Sequence, residues 1–296
     1  MSSKVNSIFD IAGAFDIAEE ILGKGRQWNP TNPAQAQFLP MLEQAMPYVV
    51  ALKAEGLLDA VVSWQAADVN KFFRDRKLTI ELTQNPSPDV FYAGSVYEQL
   101  IKWLAPGNRD SVHGKDGKKY DAALLDDGLH FFFSREDHAQ VANIYTQGSD
   151  TVYMAILEDL PQPGDDPFAL MKLAQQIQKN LSHERGYDKL RFPMVNMDVV
   201  NDVDWMVEMW TNSATGQRAR IIEAKQQSIL KANHLGALAR SGFGMAVALE
   251  MAVVPKETMT IDRPFLFWID RPGMPLPMFT AWVDYTDWSD PGELTS

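Results

Sequence analysis

The chain has 296 residues, 27 basic and 39 acidic side chains, a formal net charge of −12 and no cysteine. A chain of this size buries roughly three-quarters of its unfolded surface and needs no covalent staples, and without thiols it has no disulfides, Cys-ligated zinc, iron–sulfur clusters or thiol catalysis. Its 46% hydrophobic and 22% charged content is that of a globular protein, and its acidic surface repels nucleic acid.

Ile8, Ile11, Ala12, Phe15, Ala18 and Ile21-Leu22 recur at helical spacing up to Gly23, which predicts a first helix. A Pro/Asn turn follows at Trp28–Pro33. From Ala34 to about Val62, Phe38, Leu42, Ala45 and Val49 keep a helical period, but Pro40, Pro47 and Gly56 predict two helices rather than one. Ala67 to Arg74 fits a third, short helix. At Lys77 the period changes. Leu78–Thr83 alternates apolar and polar, as a half-buried strand does, and ends at Asn85-Pro-Ser-Pro88.

Phe91 to Leu104 fits either a long strand or a helix, and Gly114 to Gly117 marks a turn. Leu129–Phe133 and Thr151–Leu157 are continuous apolar runs, the pattern of strands covered on both faces. Phe168 to Leu181 has the spacing of an amphipathic helix, and Lys189–Val195 and Ile221–Lys231 read as strands. The class is α+β in one domain over residues 1–296, helical over 1–76 and sheet-rich over 77–296. The longest apolar candidate, Met245–Val254, is broken by Glu250 and falls short of the roughly 18 residues of a membrane span. Met1–Ser7 has no apolar stretch of signal-peptide type, so a cytoplasmic protein is expected.

Histidines 113, 130, 138, 183 and 234 show no ligand spacing, and Glu136-Asp137-His138 reads as surface, so no metal site is expected. His130, inside an apolar strand, reads as a core histidine bonded to backbone rather than a general base. Ser241-Gly-Phe-Gly lacks the strand-to-elbow context of a nucleophile. Asp198, Asp202 and Asp204 fit turn chemistry. Trp282, Tyr285 and Trp288 with Asp284, Asp287 and Asp290 read as a solvated tail, or as the lining of a ligand pocket. No cofactor is implied.

The C-terminal third is the informative stretch. Gly236 to Pro255 is rich in Ala and Gly, and its alternate positions Ala237, Ala239 and Ser241 are small. Such a segment can serve as a loop or press one face closely against neighbours as a strand. It leads to the apolar run Arg263-Pro-Phe-Leu-Phe-Trp-Ile269.

This order resembles the C-terminal part of serpins: a last long sheet strand, an Ala-rich hinge with an exposed reactive-centre loop, a Pro-Phe-Leu-Phe strand and a hydrophobic hairpin. The parts here are Ser228–Gly236, Ala237 to about Thr260, Asp262–Ile269 and Met278–Val283. Upstream, Ser149–Pro161 is similar to the strand pair ending in Leu-Pro, Phe168–Leu181 to the helix after it, and Leu190-Arg-Phe-Pro193 to the next strand. The likeness covers about residues 145–285. Asn233-His-Leu-Gly236 stands where Glu-Glu-Gly-Thr is usual, Leu238 and Arg240 replace small residues, and the family's Asn-x-x-x-Phe-Lys-Gly-x-Trp segment is not found.

The resemblance implies a serpin-like α+β fold, with N-terminal helices packed on large mixed or antiparallel sheets and a reduced helical half. It implies a reactive-loop hinge at Gly236, Ala237, Ala239 and Ser241. The scissile region would be Glu250, Met251, Ala252, Val253 and Val254, suited to an elastase- or subtilisin-like serine protease. The alternatives are a non-inhibitory scaffold that binds a partner or a small apolar ligand, and a cofactor-independent enzyme of small-molecule biosynthesis. No catalytic residue follows from either, and neither a nucleic acid nor a membrane partner is expected.

Overall fold

The computed structural model describes residues 4–158, 166–183, 186–236 and 257–294. The elements in chain order are β1 (Val5–Asn6), α1 (Phe9–Leu22), α2 (Pro33–Ala54), β2 (Leu58–Ser63), α3 (Ala66–Asp75) and β3 (Tyr92–Tyr97). Then come β4 (Asn108–His113), β5 (Lys119–Leu125), β6 (Leu129–Ser134), β7 (Ala139–Tyr145), β8 (Thr151–Leu157), α4 (Ala169–Lys179) and β9 (Leu181–His183). The remainder are β10 (Tyr187–Pro193), β11 (Val195–Asn201), β12 (Trp210–Asn212), β13 (Arg218–Arg220), β14 (Gln226–Ala232), β15 (Glu257–Thr260), β16 (Phe265–Asp270) and β17 (Phe279–Val283).

The central layer is a seven-stranded sheet in the order β1-β17-β16-β8-β7-β6-β9, antiparallel throughout. Its central strands β8 and β16 are covered on both faces, which explains their continuous apolar runs. Val152, Met154, Phe265 and Phe267 point into the main core with Phe9 and Phe38, while Ala155, Leu266 and Trp268 meet Leu170, Ala174 and Ile177 of α4. Trp268 is fully buried and stacks on Tyr153, across the β16–β8 pair, with ring centroids 4.8 Å apart. A four-stranded sheet, β15-β10-β5-β4, and the pairs β11-β14, β12-β13 and β2-β3 complete the strand layers.

α1 ends as its apolar stripe predicts, at Gly23, whose φ of +90° favours glycine. The division of α2 does not occur. One 22-residue helix runs through both prolines, capped by Asn32, whose side chain accepts from the backbone N of Gln35. Pro40 and Pro47 lie two turns apart on the exposed face, opposite the buried stripe Phe38, Leu42, Ala45, Val49 and Leu52. Water can therefore solvate the carbonyls that each proline leaves unbonded, and burial of the opposite stripe holds the helix together.

Leu78–Thr83 is extended but joins no ladder, contrary to the strand expectation. Phe91–Leu104 resolves into β3 followed by irregular chain, and Ile221–Lys231 into irregular chain followed by β14. β4, β5 and β7 were not foreseen. His130 is exposed on β6, against Tyr145 at 5.1 Å and His183 at 6.1 Å between ring centroids. It is an edge-facing ring rather than a core histidine, because β6 pairs outward only with the three-residue β9.

Candidate functional site

The hinge and scissile positions Ala237, Ala239, Ser241 and Glu250 to Val254 lie outside the described residues. Gly236 is described, and it sits in a tight corner. Its φ is +89°, it bridges to Lys102, and a Cβ there would stand 2.3 Å from the backbone N of Trp103. Asn233 organises the corner. Its carbonyl accepts from the indole Nε1 of buried Trp103 at 2.8 Å, its Oδ1 accepts from Leu235 N at 2.9 Å, and its Nδ2 donates to Gly292 O at 3.0 Å. The next carbonyl, that of His234, accepts from Gly107 N at 2.7 Å. Burial and the nearby Arg109 hold the His234 imidazole below its ordinary pKa, so it is neutral at pH 7.

From this corner β3 and β14 lead down opposite sides of a cleft of about 1710 Å³. Among the described residues β3 pairs only with β2, and β14 only with β11. Each therefore presents an edge of backbone N–H and C=O groups that no other strand takes up. α1 lines the cleft along its length, from Asp10 to Leu22, and its first turn is tied to both strands. Ser95 of β3 donates its hydroxyl to Asp10 O, and Gln226 of β14 donates Nε2 to Asp10 Oδ2 at 2.9 Å and to Ser7 O at 3.1 Å. Asn201 of β11 completes the group, donating Nδ2 to Ser228 Oγ at 2.8 Å and Gln226 Oε1 at 3.2 Å. Desolvation raises the Asp10 carboxyl above the ordinary Asp value, partly offset by the bonds from Gln226 and its own helix backbone.

The extended Leu78–Thr83 runs along the mouth of the cleft. Its backbone is bound by side chains instead of a neighbouring strand. Gln227 Oε1 accepts from Thr79 N at 2.7 Å and Ile80 N at 3.2 Å, and Glu223 Oε2 accepts from Thr83 N at 2.8 Å. Lys225 Nζ donates to Glu81 O at 2.6 Å. On the other side, Asn70 of α3 takes both backbone groups of Leu82, at 2.8 and 2.9 Å. Ile80 packs in a cluster with Val69 and Phe73 of α3 and Tyr92 of β3, and Leu78 and Leu82 lie against it.

Where β3 ends, Tyr97 donates to Gln99, Gln99 to Asp150, and Arg271 makes a fork onto Asp150 at 2.6 and 3.1 Å. Burial and the Asp150 charge push the Tyr97 phenol well above its usual range, and Asp150 in turn raises Arg271 further. Tyr97 is therefore neutral and Arg271 charged at neutral pH.

The remaining candidates are structural. Asp198 accepts from Gln227 at 2.6 Å, and Asp202 caps the backbone N of Asp204. Asp137 accepts from Gln176 and Glu136 from Asn180 on α4, while His138 meets Glu158 at 3.6 Å in solvent. The aromatic–acidic C-terminus is neither a solvated tail nor a lining of the cleft. Trp288 is buried against Tyr120 and Tyr285, Lys4 pairs with Asp284 and Asp287, and Arg109 pairs with Asp290. Among the described residues no group of three His, Asp or Glu side chains is placed to hold a metal ion.

Sequence reasoning passed over Trp103, Asp10, Gln226 and Gln227. For Trp103 a signal existed. Ser95 to Trp103 keeps the nine-residue spacing of the Asn-x-x-x-Phe-Lys-Gly-x-Trp segment but retains only its tryptophan.

No family model and no curated protein matches the sequence. Solved structures do match over nearly the whole chain. A thyroxine-binding globulin in complex with thyroxine is 11% identical, with 95% of this chain and 92% of that one covered at a TM-score of 0.57. Serpin48 of the insect Tenebrio molitor is 14% identical, covering 96% and 92% at 0.55. Tengpin, a thermophilic serpin in its native state, is 13% identical, covering 95% and 88% at 0.57. The chain has a divergent serpin-like α+β fold with a reduced helical part.

Proposed function

We propose that the protein inhibits serine proteases by cleavage near Glu250–Val254 and admission of the stretch from Ala237 to the cut into the cleft between β3 and β14. The observation that carries this reading is the pair of unpaired strand edges meeting at Gly236, where residues 237–256 begin. That connection is longer than the roughly 12–15 residues of an ordinary loop. β3 and β14 both run toward the corner, so a segment turning back at Gly236 would lie antiparallel to each. The small side chains of Ala237, Ala239 and Ser241 would suit close packing between two strands.

The volume favours polypeptide, since sites for small molecules are typically about 300–1,000 Å³. Chemically, the protease serine would attack the loop carbonyl and the amine fragment would leave. Insertion would then carry off the ester-linked enzyme before water could release it. Small apolar Ala252, Val253 and Val254 would suit an elastase- or subtilisin-like partner.

The test is cleavage by such proteases, read on a denaturing gel and by thermal melting. A complex stable in SDS, with a large rise in Tm after loop cleavage, is the expected result. Clean cleavage with an unchanged Tm would overturn the reading.

A second reading has the same cleft holding a small apolar ligand, and its support is the apolar lining by Ile11, Phe15, Ile80 and Leu230. Native mass spectrometry of the purified protein distinguishes it by a bound mass that extraction removes.

A further inference from the structure

Asp10 is a carboxylate deep in the molecule with no cation beside it. It lies in the first turn of α1, part of its surface stays accessible, and it lines the cleft. Its Oδ2 accepts from Gln226 Nε2 at 2.9 Å and its Oδ1 from the backbone N of Ile11 at 2.9 Å. A carboxylate has about four acceptor positions, so roughly half of them are open. Among the described residues no lysine or arginine lies within ion-pair distance of it. Ser7 supplies a second open group. It sits beside Asp10 on the cleft wall and is 5% exposed, yet its hydroxyl makes no hydrogen bond of good geometry.

From Asp10 the cleft floor continues along α1. Ala14 and Ala18 follow at intervals of four, so they share its side of the helix, and their small side chains leave a channel there. At about 1.5 Å per residue, the stripe from Asp10 to Ala18 is about 12 Å long. Phe15 and Trp28, in edge contact with ring centroids 5.0 Å apart, add an aromatic surface to the same lining.

We infer that this floor binds a small organic amine, its ammonium on Asp10 beside Ser7 and its apolar body along Ala14 and Ala18 toward Phe15 and Trp28. The inference rests on the second of the two readings above, a small molecule in the cleft, and names its head group. An anion would meet the Asp10 charge on a chain of net charge −12. A neutral apolar molecule would cover the carboxylate and leave it unpaired, which is costly. A protonated amine brings up to three donors, which the open positions on Asp10 and the Ser7 oxygen can take, and its charge strengthens each bond. The desolvation that raises the Asp10 pKa is the penalty such a cation offsets.

The probes are 4-phenylbutylamine and its neutral counterpart 4-phenylbutan-1-ol, titrated into the intact chain by calorimetry. Wild type should bind the amine at least about tenfold more tightly, the gain of a charge-assisted bond over a neutral one. Asp10→Asn should abolish that preference, and Ala14→Leu, which fills the channel, should weaken both probes. One arm needs no substitution. Amine affinity should fall as pH drops through the raised Asp10 value, while alcohol affinity holds. Of the groups around Asp10, Tyr97 of β3 is neutral throughout this range, and Gln226 and Ser228 of β14 and Asn201 of β11 do not titrate. Equal affinities for amine and alcohol overturn the amine site, as does a preference that survives Asp10→Asn or that ignores pH. Equal but measurable affinities still leave a small molecule in the cleft, whereas binding of neither probe overturns both. No protease is present, so the inhibitor test is independent of every arm.

Discussion

A single hydrogen atom on Gly236 permits the corner from which the proposed loop departs. Gly236→Ala places a Cβ 2.3 Å from Trp103 N and 2.7 Å from Lys102 Cα, at a φ of +89°. Both neighbours are backbone and cannot rotate away. We expect a loss of at least about 2–3 kcal/mol in urea unfolding, the sum of backbone strain and a clash. Asp10 makes a prediction in pH. Its folded pKa is raised by burial, so the folded state binds the proton more tightly than the unfolded chain does. As pH falls through the raised value toward the ordinary one, this group adds stability. The Tm of wild type should therefore rise relative to that of Asp10→Asn in mild acid. A difference constant from pH 7 to 4 would refute the assignment. Gly236 stood out in the sequence as a hinge position, whereas Asp10 does not, because it resembles any acidic residue in a first helical turn.

Elements were legible where the local period matched the tertiary environment. α1, α3 and α4 bury one stripe each, and β8 and β16 are covered on both faces, so their patterns survive in the sequence. α2 shows the opposite case, because local propensity argued for a break that packing prevents. If burial of Phe38, Leu42 and Val49 holds a helix that its prolines weaken, Pro40→Ala and Pro47→Ala should each raise stability by about 1–3 kcal/mol in chemical denaturation. Leu78–Thr83 shows a third case. Its alternation was correct, but alternation reports the two faces of a segment and says nothing about what its backbone bonds to. The partners Asn70, Glu223, Lys225 and Gln227 are polar residues that a hydrophobic pattern does not weigh.

At the scale of the molecule, separate layers are joined by a few polar hubs. Arg271, between β16 and β17, holds Asp150 of the β7–β8 connection and, at 2.6 Å, Glu55 after α2. Through Gln99 the same carboxylate reaches the end of β3. Asp150 and Arg271 are nearly enclosed, with side chains 9% and 12% exposed. Arg271→Ala would leave a carboxylate buried without its cation. Calorimetry should show a loss of about 3–5 kcal/mol, and Arg271→Ala with Asp150→Asn should recover part of it. The cleft belongs to this scale too, since its walls come from residues near 10, 80, 95 and 226. That is why the order of C-terminal segments could suggest the fold while the cavity beneath them stayed out of sight.

The pairing of β1 with β17 has a consequence for synthesis. Val5–Asn6 closes the seven-stranded sheet only against Thr280–Ala281, and Lys4 is fixed by Asp284 and Asp287. A nascent chain emerging from the ribosome thus carries its first strand unpartnered until almost the last residues described here have been translated. Completion of this sheet must wait for the synthesis of β17. Until then the edge of β1 is open to chaperones, and to other copies of the chain.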